Sequence, residues 1–376
     1  MIKRIQEATF ISKLKSNKIL ILSGAKGVGK SLFLHQIFEQ EKQTPLIINC
    51  ADKREQKTIS GLDFQGLKNA FGIRPYVVLQ EAQHLENLQE IISFILSDEL
   101  KNTFILSCSY EPTIDPFLWE ALKLQGLEFV LHPYGFSELA QHFGLPNEEK
   151  QLEQRLIYGQ YPFVVNPDED QTINWENLIQ QLLHKQLGHQ DRINKTEKLL
   201  RLLQYLSFKI GQAISFNEIG KEVGIDNETA ERYVLLFEKA NILFKLPVFH
   251  SEKRYELKKT HIIYFYDCGL RNALIQNFNP LSLRLDQPEL WKNWLFSERI
   301  KWLQANGIQK ELFFWKTHTA QEMDFIEKDE SGLKAFKTQW DKQKKCKIPS
   351  SFQQYYPNIT TSIINRNSYW TFLTKK

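Results

Sequence analysis

The chain has 376 residues, 42% hydrophobic and 24% charged, with a formal net charge of +4. Those values are ordinary for a soluble globular protein of two or three domains, and the charge is too small to argue for nucleic acid by itself. No stretch approaches the ~20 apolar residues that span a bilayer, which argues against a membrane protein.

The N-terminal segment, residues 1–7, lacks the apolar core of a signal peptide. The four cysteines, Cys50, Cys108, Cys268 and Cys346, are too far apart for a zinc knuckle or a redox pair. A reducing, cytoplasmic compartment is the expectation.

Residues 1–150 alternate short apolar runs with helical periods. The runs at 19–22, 46–48, 76–79, 103–106 and 128–131 read as strands, and a helical period extends over 88–100. Unbroken apolar strands separated by helices predict a parallel sheet covered on both faces. Directly after the first strand comes Gly24-Ala25-Lys26-Gly27-Val28-Gly29-Lys30-Ser31, and then an amphipathic helix carrying Leu32, Phe33 and Ile37. Strand, glycine-rich loop and helix in that order are the context of a P-loop. Glycines let backbone N–H groups converge on phosphate oxygens, and the helix N-terminus adds favourable partial charge. Lys30 then reaches the β- and γ-phosphates, and the Ser31 hydroxyl is the candidate Mg²⁺ ligand.

Hydrolysis needs an Asp at the end of a later strand to hold Mg²⁺, often followed by a Glu that polarises water. The run 76–79 ends instead in Gln80-Glu81. Gln80 is neutral and weakens the metal site. Glu81 is the candidate general base, or else a solvated residue at a strand end. Asp52 and Glu111, at neighbouring strand ends, are the conceivable substitute acids. The fourth strand leads into Ser107-Cys108-Ser109, where Ser107 and Ser109 either sense the γ-phosphate or serve a local turn.

Residues 150–250 become helical. Leu199, Leu200, Leu203 and Leu206 form an apolar stripe, Ser215 to Glu218 is a capping box, Gly224 supplies a turn and Asp226 caps a second helix. Strands at 242–246 and 262–266 follow. Helix, turn, helix and β-ribbon are the order of a winged helix. Between Ile210 and Lys245 there are six acids and four bases, and the second helix opens with Asp226, Glu228 and Glu231. Phosphates repel those carboxylates where base contacts normally arise, so DNA binding is not favoured. The rest is mixed: an amphipathic helix through Trp291, Trp294, Leu295, Ile300 and Leu303, then strands at 312–315, 323–326 and 333–336. Six lysines lie between Lys334 and Lys347; they contact a nucleic-acid backbone or an acidic protein, or form a solvated loop.

In ordered series, the P-loop, Leu79-Gln80-Glu81-Ala82-Gln83-His84-Leu85, Ile105 to Ser109, Leu131-His132-Pro133-Tyr134-Gly135-Phe136, Tyr158-Gly159-Gln160-Tyr161-Pro162, Tyr266-Asp267-Cys268-Gly269-Leu270-Arg271 and Glu322-Met323-Asp324 resemble a known family. It comprises bacterial and archaeal AAA-type ATPases with a winged helix and a C-terminal, restriction-endonuclease-like domain of unknown function. The resemblance implies an α/β fold of three domains: a P-loop nucleotide-binding core at 1–150, a helical lid with a winged helix at 151–255, and a mixed α/β nuclease-like domain at 256–376.

It also implies ATP as ligand, with Mg²⁺ in doubt at Gln80, and a protein partner or self-assembly. Gln80 replaces the family's Walker B Asp. Gly126-Leu127 stands where Gly-Arg is usual, so the Arg charge is missing. The nuclease pattern of Asp, then Glu-x-Lys, becomes Asp324, then Lys337-Thr338-Gln339. A lysine where a metal should bind repels it by about 4 kcal/mol per unit charge product at ~4 Å and an effective dielectric of ~20. The expectation is therefore a degenerate member: a nucleotide sensor with weak or absent hydrolysis and no nuclease activity.

Overall fold

The computed structural model describes residues 2–72, 74–97, 101–125, 127–167, 174–183, 193–249, 260–341, 343 and 346–374. The chain forms two compact units, residues 1–132 and 133–376.

The first unit is built on five strands: β1 (Ile19–Ser23), β2 (Leu46–Asn49), β3 (Tyr76–Gln80), β4 (Thr103–Cys108) and β5 (Glu128–Val130). All pair in parallel, in the order β2-β3-β4-β1-β5. This is the sheet expected from the uninterrupted apolar runs, and Ile19, Leu20, Ile21 and Leu22 are all buried, as are Phe104, Ile105 and Leu106. Helices α1 (Glu7–Ser16), α2 (Lys30–Gln40), α3 (Lys53–Ser60), α4 (Phe64–Phe71), α5 (Leu88–Leu96) and α6 (Pro116–Leu124) accompany the sheet. Phe10 of α1 meets Phe33 of α2 and Phe129 of β5 edge-on, with ring centroids 5.2 and 4.9 Å apart. The inner face of α2 is Phe33, Leu34, Ile37 and Phe38, whereas Leu32, expected on that face, is exposed. Helix α5 ends at Leu96, earlier than the periodicity suggests, and residues 98–100 lie outside the described residues.

The second unit opens with helices α7 (Phe136–Phe143), α8 (Leu145–Lys150), α9 (Leu152–Tyr158), α10 (Pro162–Val165) and α11 (Trp175–Gln181). Next come α12 (Ile193–Phe208), β6 (Ala213–Ile214), α13 (Phe216–Val223), α14 (Asn227–Lys239), β7 (Leu243–Pro247) and β8 (His261–Phe265). Ser215 and Asp226 cap α13 and α14 through the Glu218 and Thr229 N–H groups. The three strands form an antiparallel sheet of order β6-β8-β7, in which β7 and β8, on opposite sides of the expected boundary at 255, are paired.

Helices α15 (Cys268–Leu274) and α16 (Gln287–Ala305) lead to β9 (Glu311–Lys316), β10 (Glu322–Asp329), β11 (Gly332–Gln339), α17 (Ser350–Tyr355), β12 (Thr360–Asn365) and α18 (Tyr369–Thr374). The strands form a second sheet, β12-β11-β10-β9. A parallel bridge from Val248 to Phe314 ties it to the strand end after β7.

Helix α16 corrects the amphipathic expectation. It is buried on nearly every side, and the polar residues buried in it, Asn293, Ser297, Glu298, Arg299 and Lys301, have partners. Arg299 grips Glu327 through two bonds of 2.6 and 3.0 Å, and Lys301 pairs with Glu298 at 2.7 Å.

Candidate nucleotide site and a second charged cluster

The loop 24–31 leads from β1 into the first turn of α2, and β1 is an interior strand flanked by β4 and β5. Its glycines are dictated by geometry. Gly24, Gly27 and Gly29 have φ of 148°, 84° and 93°, which side chains disfavour. A Cβ on Gly24 would also lie 2.1 Å from the Leu131 carbonyl oxygen. Ala25 and Val28 are fully buried beneath the loop. Ser31 is exposed on the first turn of α2.

Lys30 is buried and its ammonium meets neutral acceptors: the Gly24 carbonyl at 2.7 Å, the Ala25 carbonyl at 3.3 Å and the Ser109 hydroxyl at 2.8 Å. Burial pushes its pKa down to about 8, against the pull of Glu81. Ser109 in turn donates to Glu81 Oε1 at 2.8 Å, and Gln83 Nε2 donates to Glu81 Oε2 at 2.6 Å. Lys26 approaches Glu81 Oε1 at 3.7 Å. Burial raises the Glu81 pKa, but Lys30, Lys26 and the two hydrogen bonds outweigh it and hold the carboxyl below its usual value.

The strand order explains this assembly. Because β4 lies between β3 and β1, the residue after β4 sits between the residue after β3 and the loop after β1. Ser109 is therefore the link between Lys30 and Glu81. Ser107 is buried within β4, paired with Gln80 and Leu22. The two substitute acids are engaged by other groups. Asp52 caps α3 through the Arg54 and Glu55 N–H groups, and Glu111 pairs with Lys123 at 3.1 Å. Leu127 is buried; Gly126 lies outside the described residues.

Two participants were not singled out from the sequence. Gln83 accepts from the Ser109 N–H at 3.3 Å while donating to Glu81, which orients that carboxylate. Arg4 is buried, and its guanidinium donates to the Val28 carbonyl at 2.6 Å and the His132 carbonyl at 3.0 Å, clamping the loop to the exit of β5.

Residues 16–140 match the family described as AAA domain. The match spans the glycine-rich loop and all five strands of the first sheet. Residues 149–281 match a second family, described as domain of unknown function (DUF8612). No curated protein matches the chain in sequence. Among solved structures, the Walker-type ATPase Paby2304 of Pyrococcus abyssi is similar at 16% identity and a TM-score of 0.45, over 73% of this chain and 96% of that one. The RuvB Holliday junction branch migration motor of Thermotoga maritima is similar at 13% identity and 0.32, over 65% and 90%. The DNA clamp loader delta protein of Bacillus subtilis follows at 12% identity and 0.29, over 61% and 88%. Likeness at these scores carries no weight for function, which is read from the residues of this chain.

The second unit brings other quoted motifs together for packing. A Cβ on Gly159 would lie 2.1 Å from Asp267 Oδ1, and one on Gly269 would lie 2.1 Å from the Tyr158 carbonyl oxygen. The backbone of one motif therefore seats on that of the other. Buried Asp267 accepts from the N–H groups of Gln160 and Leu270 at 2.7 and 3.0 Å. The Gln160 side chain bridges the Tyr134 carbonyl and the Trp294 indole N–H, both at 2.8 Å.

Asp324 and Lys337 meet, as the register of β10 and β11 allows. Asp324, with its side chain 1% exposed, is 2.7 Å from Lys292 and 3.2 Å from Lys337. It also accepts from the Thr338 N–H at 2.7 Å and the Thr338 hydroxyl at 3.1 Å. Glu322 pairs with Lys292 at 3.0 Å, Lys316 at 3.3 Å and Lys337 at 3.4 Å. Burial works to lower the Lys292 pKa, but Asp324 and Glu322 drive it well above the usual lysine value. Gln339 donates to the Asp341 carbonyl at 2.8 Å, and Thr338 supplies the contacts to Asp324. Of the lysine-rich stretch, Lys342, Lys344 and Lys345 lie outside the described residues.

Proposed function

We propose that this chain is an ATP-binding protein of the AAA type, a nucleotide sensor with weak or absent hydrolysis that acts as a gated interaction module or an assembly subunit. The observation that carries the reading is the state of Glu81. The carboxylate follows neutral Gln80 and is held by Ser109, Gln83 and Lys26. A general base must be free to accept a proton from water, and this one is stabilised as an anion that binds protons weakly. Leu127 supplies no charge for a transition state.

A second reading has its own support. Glu81 stands one hydroxyl away from Lys30, the place of a water-activating residue in a working ATPase. Steady-state turnover of the purified protein, beside Lys30→Ala and Glu81→Gln, separates the two. The sensor reading expects ATP binding that Lys30→Ala removes, with turnover at background in all three proteins. Robust turnover abolished by both substitutions establishes the ATPase instead.

For the second unit we propose a winged helix over residues 193–265, supported by three helices and a three-stranded sheet of order β6-β8-β7. We further propose a nuclease-like domain without nuclease chemistry, because Lys292 and Lys337 occupy the surroundings of Asp324 that a metal needs. A DNA-binding role draws less support, since Lys337 is committed to ion pairs. A salt titration of DNA affinity checks it: a steep slope would restore that role.

A further inference from the structure

An AAA-type P-loop domain ordinarily pairs its nucleotide with Mg²⁺, which neutralises the β- and γ-phosphates. The residues present here do not fit that ion. Gln80 is neutral, and both oxygens of Glu81 are engaged, Oε1 by Ser109 and Lys26 and Oε2 by Gln83. Asp52 and Glu111 are used elsewhere, as a helix cap and an ion pair. Among the described residues, no group of three or more His, Cys, Asp or Glu side chains could hold a metal ion. The Ser31 hydroxyl remains, exposed on the first turn of α2.

Positive charge is nonetheless present at the loop. We infer that this site binds the phosphates of a nucleoside triphosphate without a divalent cation, and that Lys26 supplies, beside Lys30, the charge that the metal supplies elsewhere. The inference rests on the nucleotide-binding reading above and adds to it the ionic form of the ligand.

Two facts about Lys26 carry the argument. It is the third residue of the glycine-rich loop, and its side chain remains 41% exposed. Its contact to Glu81, at 3.7 Å, is long for a charge-assisted hydrogen bond. Such a part-exposed pair is weakly held, and the flexible lysine stem can turn to a stronger anion at little cost. Lys30 is in a similar position for another reason. Its hydrogen-bond acceptors are two carbonyls and a hydroxyl, all neutral, so a phosphate is a better partner than any it has. Two ammonium groups against one carboxylate leave a surplus positive charge beside the N-terminus of α2 and its unpaired N–H groups. A triphosphate fits that charge. A divalent cation placed on Glu81 Oε1 would have to displace Lys26 and the Ser109 hydroxyl.

The experiment measures ATP affinity of the full-length protein by calorimetry, once in EDTA and once in excess Mg²⁺. The expected change in wild-type affinity on adding Mg²⁺ is below about fivefold. Lys26→Gln is expected to weaken metal-free ATP binding by at least about tenfold, with Lys26→Arg restoring most of it. Thermal melting checks that these part-exposed substitutions leave the fold intact. Glu81→Gln, which frees Lys26 from its ion pair, is expected to tighten metal-free binding. A Mg²⁺ effect larger than fivefold, or a smaller loss in Lys26→Gln, overturns the inference while nucleotide binding stands. ATP binding in neither condition overturns both.

Discussion

Lys30 in the first unit and Lys292 in the second stand in clusters of the same net charge, yet they are displaced in opposite directions. Around the loop, Lys26 and Lys30 face Glu81; in the second cluster, Lys292, Lys316 and Lys337 face Glu322 and Asp324. Each leaves one positive charge in surplus. Lys30 is nonetheless pushed down to about 8, because burial removes its water and its hydrogen bonds go to neutral oxygens. Burial acts on Lys292 too, but two adjacent carboxylates more than reverse it. A buried lysine short of anions is prepared to bind one, whereas a lysine already paired is a structural part. Charge count alone would have made these regions look alike.

The sharpest way to break the contrast is at the loop backbone. Gly24→Ala places a Cβ against the Leu131 carbonyl. Nucleotide affinity is expected to fall by more than about 100-fold, measured by calorimetry, because the amides no longer converge on phosphate. Retained binding would mean that the loop is not the site.

On the opposite side, Asp324→Asn removes a carboxylate held by two lysines and Thr338. Breaking one partner from this buried network is expected to cost about 3 kcal/mol, seen in urea unfolding. A change below about 1 kcal/mol would make the cluster a screened surface feature.

Arg4→Gln follows. Losing two charge-assisted bonds to the Val28 and His132 carbonyls is expected to cost about 2 kcal/mol of stability, with a parallel weakening of nucleotide binding. Stability lost with affinity unchanged would limit Arg4 to packing.

The smallest effect is pH dependence. Phosphate raises the Lys30 pKa, so binding takes up a proton wherever free Lys30 is neutral. Affinity is therefore flat with respect to Lys30 below about 8 and falls above it. The limiting slope is about tenfold per pH unit by calorimetry, and is absent in Lys30→Arg, whose side chain stays charged throughout.

What the sequence discloses follows the range of each interaction. The five strands, the glycine-rich loop and the caps at Ser215 and Asp226 are local patterns, and all were legible. Ser109 was one of two candidate hydroxyls; only the strand order β3-β4-β1 selects it over Ser107. Gln83 and Arg4 were not singled out; their contacts to Ser109 and His132 cross 26 and 128 residues of sequence. Helix α16 misled for a related reason. Hydrophobic periodicity assigns charged residues to solvent, while Arg299 and Lys301 are buried on Glu327 and Glu298. Asp52 and Glu111 failed as substitute acids because nearness to a strand end says nothing of prior commitments.

The central claim is that the P-loop binds nucleotide without turning it over. The direct measurement is ATP affinity and steady-state ATP turnover on one preparation, with Lys30→Ala and Glu81→Gln alongside. The account predicts saturable ATP binding lost in Lys30→Ala, with turnover indistinguishable from background in every protein. A kcat of about 1 s⁻¹ or more, the ordinary enzymatic range, that both substitutions abolish would contradict it.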